Sequence, residues 1–197
     1  IHNMKPNQRK IFLDNLENDT IVSYLNQISS NEKTRFLNLT QRDAVNAFWD
    51  KEKELVLQGK GTRNWTKEQQ IQILNDETPT YIDENGIERS FEGHHMYSKN
   101  EYPKYSADPE NIQALMKSSE HLSGAHGNGG TQTPTQGYYD EISKQTFNFT
   151  SGKVDTGYPP VIDLDELADG ITPTNRTNYS EIIPFYDDLT VDQQVEI

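Results

Sequence analysis

Thr80-Tyr81-Ile82-Asp83-Glu84-Asn85-Gly86-Ile87-Glu88-Arg89-Ser90-Phe91-Glu92-Gly93-His94-His95 is the stretch whose reading decides the fold. Two β-prone segments, 80–83 and 87–91, flank Glu84-Asn85-Gly86. Asn-Gly between such segments signals a tight hairpin, because both residues tolerate the positive φ that the turn demands. Two consecutive histidines follow the second segment directly. His94, His95, His121 and His126 make up four of the chain's five histidines and fall within 33 positions. Imidazole both binds transition metals and moves protons near neutral pH, so this cluster is where the sequence speaks of chemistry.

Upstream of the hairpin the pattern is helical. Ile11, Phe12, Leu16, Ile21, Tyr24, Leu25 and Ile28 recur at three-to-four spacing, which predicts one or two short helices over 7–29. Thr40, with Asp43 three positions on, is expected to cap the next helix. That helix carries an apolar stripe of Ala44, Val45, Phe48, Trp49, Leu55 and Val56 and ends at Gly59. Thr66-Lys67-Glu68-Gln69 is a capping box opening a third helix that stops near Asp76. These apolar positions, and Trp65 at the start of that helix, read as core.

Downstream, Asp108-Pro109 has the form of a helix N-cap with proline in the first turn. An apolar segment runs from Ile112 to Met116, and a short helix beginning at Ser118 or Ser119 is expected to carry His121. Five residues separate His121 from His126, which is not the spacing of an α-helical face. Ser123-Gly124 is therefore expected to end that helix and leave His126 on a turn. Beyond Tyr139 the signal fades: 148–150 and 158–162 read as extended pieces, 163–167 as a short helix closed by Gly170, and 171–197 has no firm pattern. The expected class is α+β, with helices over 1–78, a small ββα core with its β-hairpin over 79–139, and an extended acidic C-terminal segment over 140–197.

Composition limits the possibilities further. The 197 residues fit one domain, or one domain with an appendage, and only 32% are hydrophobic, so the core is modest. No apolar run approaches the roughly 20 residues of a membrane helix, and no signal peptide is visible, so no membrane partner is expected. The absence of an initial Met reads as a segment excised from something longer. Zero cysteines exclude disulfides and thiolate-bound zinc. The net charge of −13 sits awkwardly with nucleic-acid binding, yet it is unevenly spread. Residues 1–80 are neutral overall, 81–139 carry −4 and 140–197 carry −9.

Phosphodiester hydrolysis needs water deprotonated near neutral pH and charge neutralised on the phosphate and the leaving oxygen. An imidazole base suits the first need and a divalent cation the second. Side chains alternate along a strand, so His94 and His95 point different ways, one able to face a metal and the other the phosphate. His121 and His126 can close the metal site, and the Asn111 amide is suited to fixing a loop or orienting a ring nitrogen. Lys99 and Lys117 can touch phosphate.

Gly93-His94-His95, then Asp108-Pro109-x-Asn111-Ile112-x-x-Leu115, then His121 and His126, resembles the HNH, or ββα-metal, nucleases of the endonuclease VII type. The leading Gly-His-His resembles the branch found as C-terminal domains of secreted bacterial polymorphic toxins. The likeness covers about residues 60–139 and includes Gly61-Thr62-x-x-Trp65-Thr66-x-Glu68-Gln69 and Pro134-Thr135-x-Gly137. It implies a hairpin and a helix around one divalent metal ion (Mg, Mn, Zn or Ni). His94 and His121 would be ligands, His126 a third ligand or a phosphate contact, and His95 the general base, with Asn111 holding the base's loop. In colicin-type DNases the second histidine pair is spaced by four, and here it is five. The resemblance further implies a DNA substrate, a cognate immunity protein, secretion by the producing bacterium and action in the target cell's cytoplasm. Two alternatives stay open: an RNase of the same fold, and a non-catalytic module stabilised by zinc. Metal removal separates the last, since a structural site unfolds and a catalytic one loses activity first.

Overall fold

In the computed structural model of the chain, residues 3–127, 134–149 and 157–164 are described. The elements run α1 (Pro6–Asp14), α2 (Asn18–Gln27), α3 (Ser30–Val56), β1 (Lys60–Gly61), α4 (Lys67–Leu74), β2 (Thr80–Ile82), β3 (Glu88–Ser90) and β4 (Glu92–His95). Then follow β5 (Ile112–Leu115), a π-helix (Lys117–Ala125), β6 (Gly137–Asp140), β7 (Gln145–Asn148) and β8 (Ile162–Asp163). Helices combined with two-stranded antiparallel sheets make this the α+β class that the sequence predicts. Two compact units form, Ile1–Phe48 with Phe91–Pro159, and Trp49–Ser90 with Pro160–Ile197. The helix expected at 163–167 and the patternless 171–197 lie, apart from Asp163 and Leu164, outside the described residues.

In the first unit, Leu13, Ile21, Leu25, Phe36, Leu37 and Ala107 pack into one apolar cluster. Arg9 is buried in the same unit and donates from Nη2 to Asp43 Oδ1 at 2.9 Å. That hydrogen bond raises the guanidinium's proton affinity, and removing either partner would leave a buried charge at a cost of about 3–5 kcal/mol. Thr40 does not cap α3. The helix starts ten residues earlier, where Ser29 and Glu32 form the capping pair: Ser29 N donates to Glu32 Oε2 and Glu32 N to Ser29 Oγ. Thr40 is buried mid-helix, its hydroxyl bonded to the carbonyls of Phe36 and Leu37, while its supposed partner Asp43 is taken by Arg9. Met96, Tyr97, Tyr138 and Phe149 make a second cluster, with Tyr102, Tyr105 and Tyr158 packed against it.

The second unit holds the Asn-Gly hairpin. β2 pairs with β3 in the register Thr80↔Ser90, Tyr81↔Arg89 and Ile82↔Glu88, and Asp83 Oδ1 accepts from the turn amides of Asn85 and Ile87. The capping box of α4 is present as read, with Thr66 Oγ1 accepting from Gln69 N. Trp65 is buried and its Nε1 donates to Glu52, which also accepts from Thr62 N at 2.7 Å and Thr62 Oγ1 at 2.8 Å.

The hairpin that bears the histidines is a different one. His94 and His95 lie on β4, whose partner is β5, in the register Glu92↔Leu115, Gly93↔Ala114, His94↔Gln113 and His95↔Ile112. Asp108 does cap, accepting from Glu110 N, but it caps only the single 3₁₀ turn Pro109–Asn111 that leads into β5. Every β5 side chain is buried, so the apolar run Ile112–Leu115 is a covered strand rather than a helix. The π-helix follows at once, so β4, β5 and this helix form the ββα unit.

Candidate active site

Gly93 lets α3 lie close against β4: a Cβ there would stand 2.7 Å and 3.1 Å from the two γ-carbons of Val45. The strand that continues from Gly93 sends its next two side chains to opposite faces. His94 turns toward the π-helix, its ring centroid 4.9 Å from that of His121 and 5.1 Å from that of His126. His95 turns toward the loop that joins β4 to β5, where its Nε2 meets the Ser106 carbonyl oxygen at 3.0 Å.

The five-residue spacing of His121 and His126 is explained by how the helix winds. Its amides bond five residues back, His121 N to the Met116 carbonyl at 2.9 Å and His126 N to the His121 carbonyl at 3.0 Å. In that winding i and i+5 superpose, as i and i+4 do on an α-helix. The helix therefore does not end at Ser123-Gly124. It continues to Ala125, with His126 as its C-cap. Gly124 is required because a Cβ there would lie 2.5 Å from the Tyr139 ring. The outcome is two imidazoles with their Nε2 atoms 3.2 Å apart.

His94, His121 and His126 each offer one ring nitrogen, all within 4.8 Å of one another. Three observations fit this set to a cation. First, His94 Nε2 is buried without a hydrogen-bond partner, an expensive state that coordination relieves. Second, two nitrogens bound to one tetrahedral zinc at 2.0–2.1 Å stand about 3.3 Å apart, close to the His121–His126 separation. Third, His121 Nδ1 lies 2.7 Å from Glu92 Oε2. A carboxylate only accepts, so this bond places the proton on Nδ1 and leaves Nε2 as the ligand atom. Burial disfavours the Glu92 charge, but the bonds from His121 and Lys117 outweigh it and hold the carboxyl below its usual range. Burial, then the neighbouring imidazoles, keep His94 well below the usual histidine range and hence neutral.

His95 is 7% exposed, and burial pushes its pKa down to about 4 despite the Ser106 carbonyl. The carbonyl can only accept, so Nε2 carries the proton and Nδ1 keeps the lone pair. Asn111 is fully buried and fixes the loop over the ring. Its Oδ1 accepts from Tyr97 N at 2.8 Å, and its Nδ2 donates to the carbonyls of Tyr97 and Tyr105 at 3.0 and 3.2 Å. Thr135 Oγ1 clamps the other side by donating to the His95 carbonyl.

A cavity of about 200 Å³ opens onto all four histidines and is also lined by Gln41, Gly93, Ser98, Lys99, Asn100 and Thr135. Lys99 thus faces the site, its Nζ bonded to Gln41 Oε1 and to Asn38 Oδ1, and burial lowers its proton affinity. Lys117 and Asn111 do not line it. Lys117 Nζ sits 3.1 Å from Glu92 Oε1, on the carboxylate that holds His121. Gln41 and Ser106 are site residues that carry no sequence signal, because one acts through a side-chain amide and the other through a backbone carbonyl supplied by a distant element, whereas Thr135, acting through its hydroxyl, lies in the Pro134-Thr135-x-Gly137 stretch of the resemblance.

Residues 31–116 match the model of a protein family described as GHH signature containing HNH/Endo VII superfamily nuclease toxin. The resemblance read from Gly93-His94-His95 and its flanks is thereby found independently over that stretch. No curated protein and no solved structure matches the chain. Among the described residues no helix is long and apolar enough to cross a membrane.

Proposed function

We propose that this domain hydrolyses phosphodiester bonds in DNA as a metal-dependent endonuclease, the effector part of a secreted bacterial toxin acting in the cytoplasm of a target cell. One observation carries the reading: three imidazoles converge on one point while the fourth, on the opposite face of the same strand, opens onto the same cavity. His94, His121 and His126 would hold one divalent cation, and the chemistry it supplies is neutralisation of charge on the phosphate and the leaving oxygen. His95 takes a proton from water at Nδ1 as the water oxygen bonds to phosphorus. The P–O bond to the leaving oxygen breaks, and that oxygen takes its proton from solvent. Ser106 and Asn111 hold the ring in place through this step, and Lys99 faces the phosphate.

A zinc-stabilised binding module fits less well. A structural site takes four protein ligands, whereas three imidazoles leave a position open and His95 is turned elsewhere. A producing cell would need a cognate immunity protein covering or flanking the cavity. Incubation with plasmid DNA and with RNA, with and without EDTA, tests the reading. We expect nicking of DNA that EDTA abolishes, and loss of at least 100-fold in rate for His95→Ala, the scale of general base catalysis, with metal binding intact. Retained nicking by that variant would remove His95 from its role.

A further inference from the structure

The nuclease reading leaves a cationic face unused. On the N-terminal half of α3, Thr34, Arg35, Asn38 and Arg42 are exposed on one side of the helix. Arg35 and Arg42 are seven residues apart, two turns, or about 10 Å along the axis. Among the described residues neither has a carboxylate partner, which is unusual in a chain of net charge −13. The face is continuous with the active site through one side chain. Lys99 bonds Asn38, which lies on this face, and Gln41, which lines the histidine cavity. Arg35, the Lys99–Asn38 pair and Arg42 therefore stand about one helical turn apart and lead away from the histidines.

We propose that this side of α3 is the track for the DNA strand flanking the scissile phosphate, with Arg35 and Arg42 each neutralising one phosphate. A row of cations at this spacing suits a strand that carries one charge per 3.4 Å of axis. The contact carries no sequence information, since phosphates position and base edges specify. It also answers the objection that an acidic chain is ill suited to nucleic acid: the binding charge is local and lies on the face next to the cavity. The proposal rests on the nuclease reading.

The test is binding of a fluorescent 30-base-pair DNA duplex by the full chain across 50–200 mM salt, for wild type, Arg35→Glu/Arg42→Glu and Arg35→Lys/Arg42→Lys. Two lost phosphate contacts reduce the magnitude of the slope of log K against log salt by about 1.8, so that between 50 and 200 mM salt the wild type loses about tenfold more affinity than the glutamate variant. The lysine variant keeps the wild-type slope. Melting curves show that all three proteins are folded, which exposed side chains permit. An unchanged slope in the glutamate variant overturns the proposal, as does an effect seen with an RNA duplex and not with DNA. Binding is read separately from cleavage. A wild type that binds with this arginine dependence and cuts nothing refutes the nuclease reading and leaves the track standing.

Discussion

Glu92 decides which nitrogen of His121 points at its neighbours. Its Oε2 accepts a hydrogen bond from Nδ1 at 2.7 Å, and Lys117 steadies its other oxygen at 3.1 Å. Without the carboxylate the ring is free to turn and to change tautomer. We expect Glu92→Ala to weaken divalent-metal binding by about 10- to 100-fold, the range typical for loss of such a partner, and calorimetric titration reads it. Wild-type affinity in the variant would mean that the helix alone sets the ring. Glu52 shows a different use of a buried acid. Burial raises its carboxyl pKa, against the opposing bonds from Trp65 and Thr62. A folded-state pKa above the unfolded one means that the folded protein holds the proton more tightly. Its stabilising contribution is complete below about pH 4.5 and is lost as pH rises through the shifted value. Glu52→Gln keeps the three bonds and has no proton to lose. The variant is expected to gain stability relative to wild type between pH 4 and pH 8 in urea unfolding, and a constant difference across that range would refute the account.

At the scale of elements, the close approach of α3 to β4 depends on Gly93 facing Val45. Gly93→Ala forces a methyl into 2.7 Å of a Val45 methyl and is expected to cost about 1–3 kcal/mol. Val45→Ala removes the obstructing atoms, so the double variant should recover most of that loss, and a double-mutant cycle measures the coupling. Strict additivity would show that the glycine is needed for another reason. How far the elements are legible in the sequence follows from how local their causes are. The capping box of α4 and the Asn85-Gly86 hairpin are fixed within a few residues, and both form in the expected places. The pairing of β4 with β5 is not local. It joins segments across a 16-residue connection, so the histidines are found on a hairpin other than the one whose turn announces itself. Thr40 misleads for a related reason: a hydroxyl satisfied by the preceding turn looks in sequence like one available for capping. The π-helix has no compositional mark, and its only trace is the spacing of five between His121 and His126, which reads as a helix end under α geometry. The histidines themselves are legible because their chemistry is borne by residue type, and the split between His94 and His95 follows from strand alternation alone.

For the molecule as a whole, a binding site made by a strand and a helix ties ligand affinity to folding. The nitrogens proposed to hold the cation come from β4 and from the π-helix with its C-cap, and they converge only when both elements are in place. A cation that binds the folded chain and not the unfolded one stabilises by RT ln(1 + [L]/Kd), about 2.7 kcal/mol at one hundred times Kd. For a chain of this length that corresponds to a rise in Tm of roughly 5–10 °C where unfolding is two-state. Titration with zinc, manganese, nickel and magnesium during thermal unfolding ranks the ions by the size of that rise. His121→Ala is expected to abolish it for every ion, because the variant loses a ligand. His95→Ala is expected to preserve it, because that ring faces Ser106 on the other side of the strand. The two variants together separate holding a cation from activating water. If His95→Ala lost the stabilisation as fully as His121→Ala, all four imidazoles would have to serve one ion. The site would then be a closed structural one, and the division of labour between neighbours on β4 would be wrong.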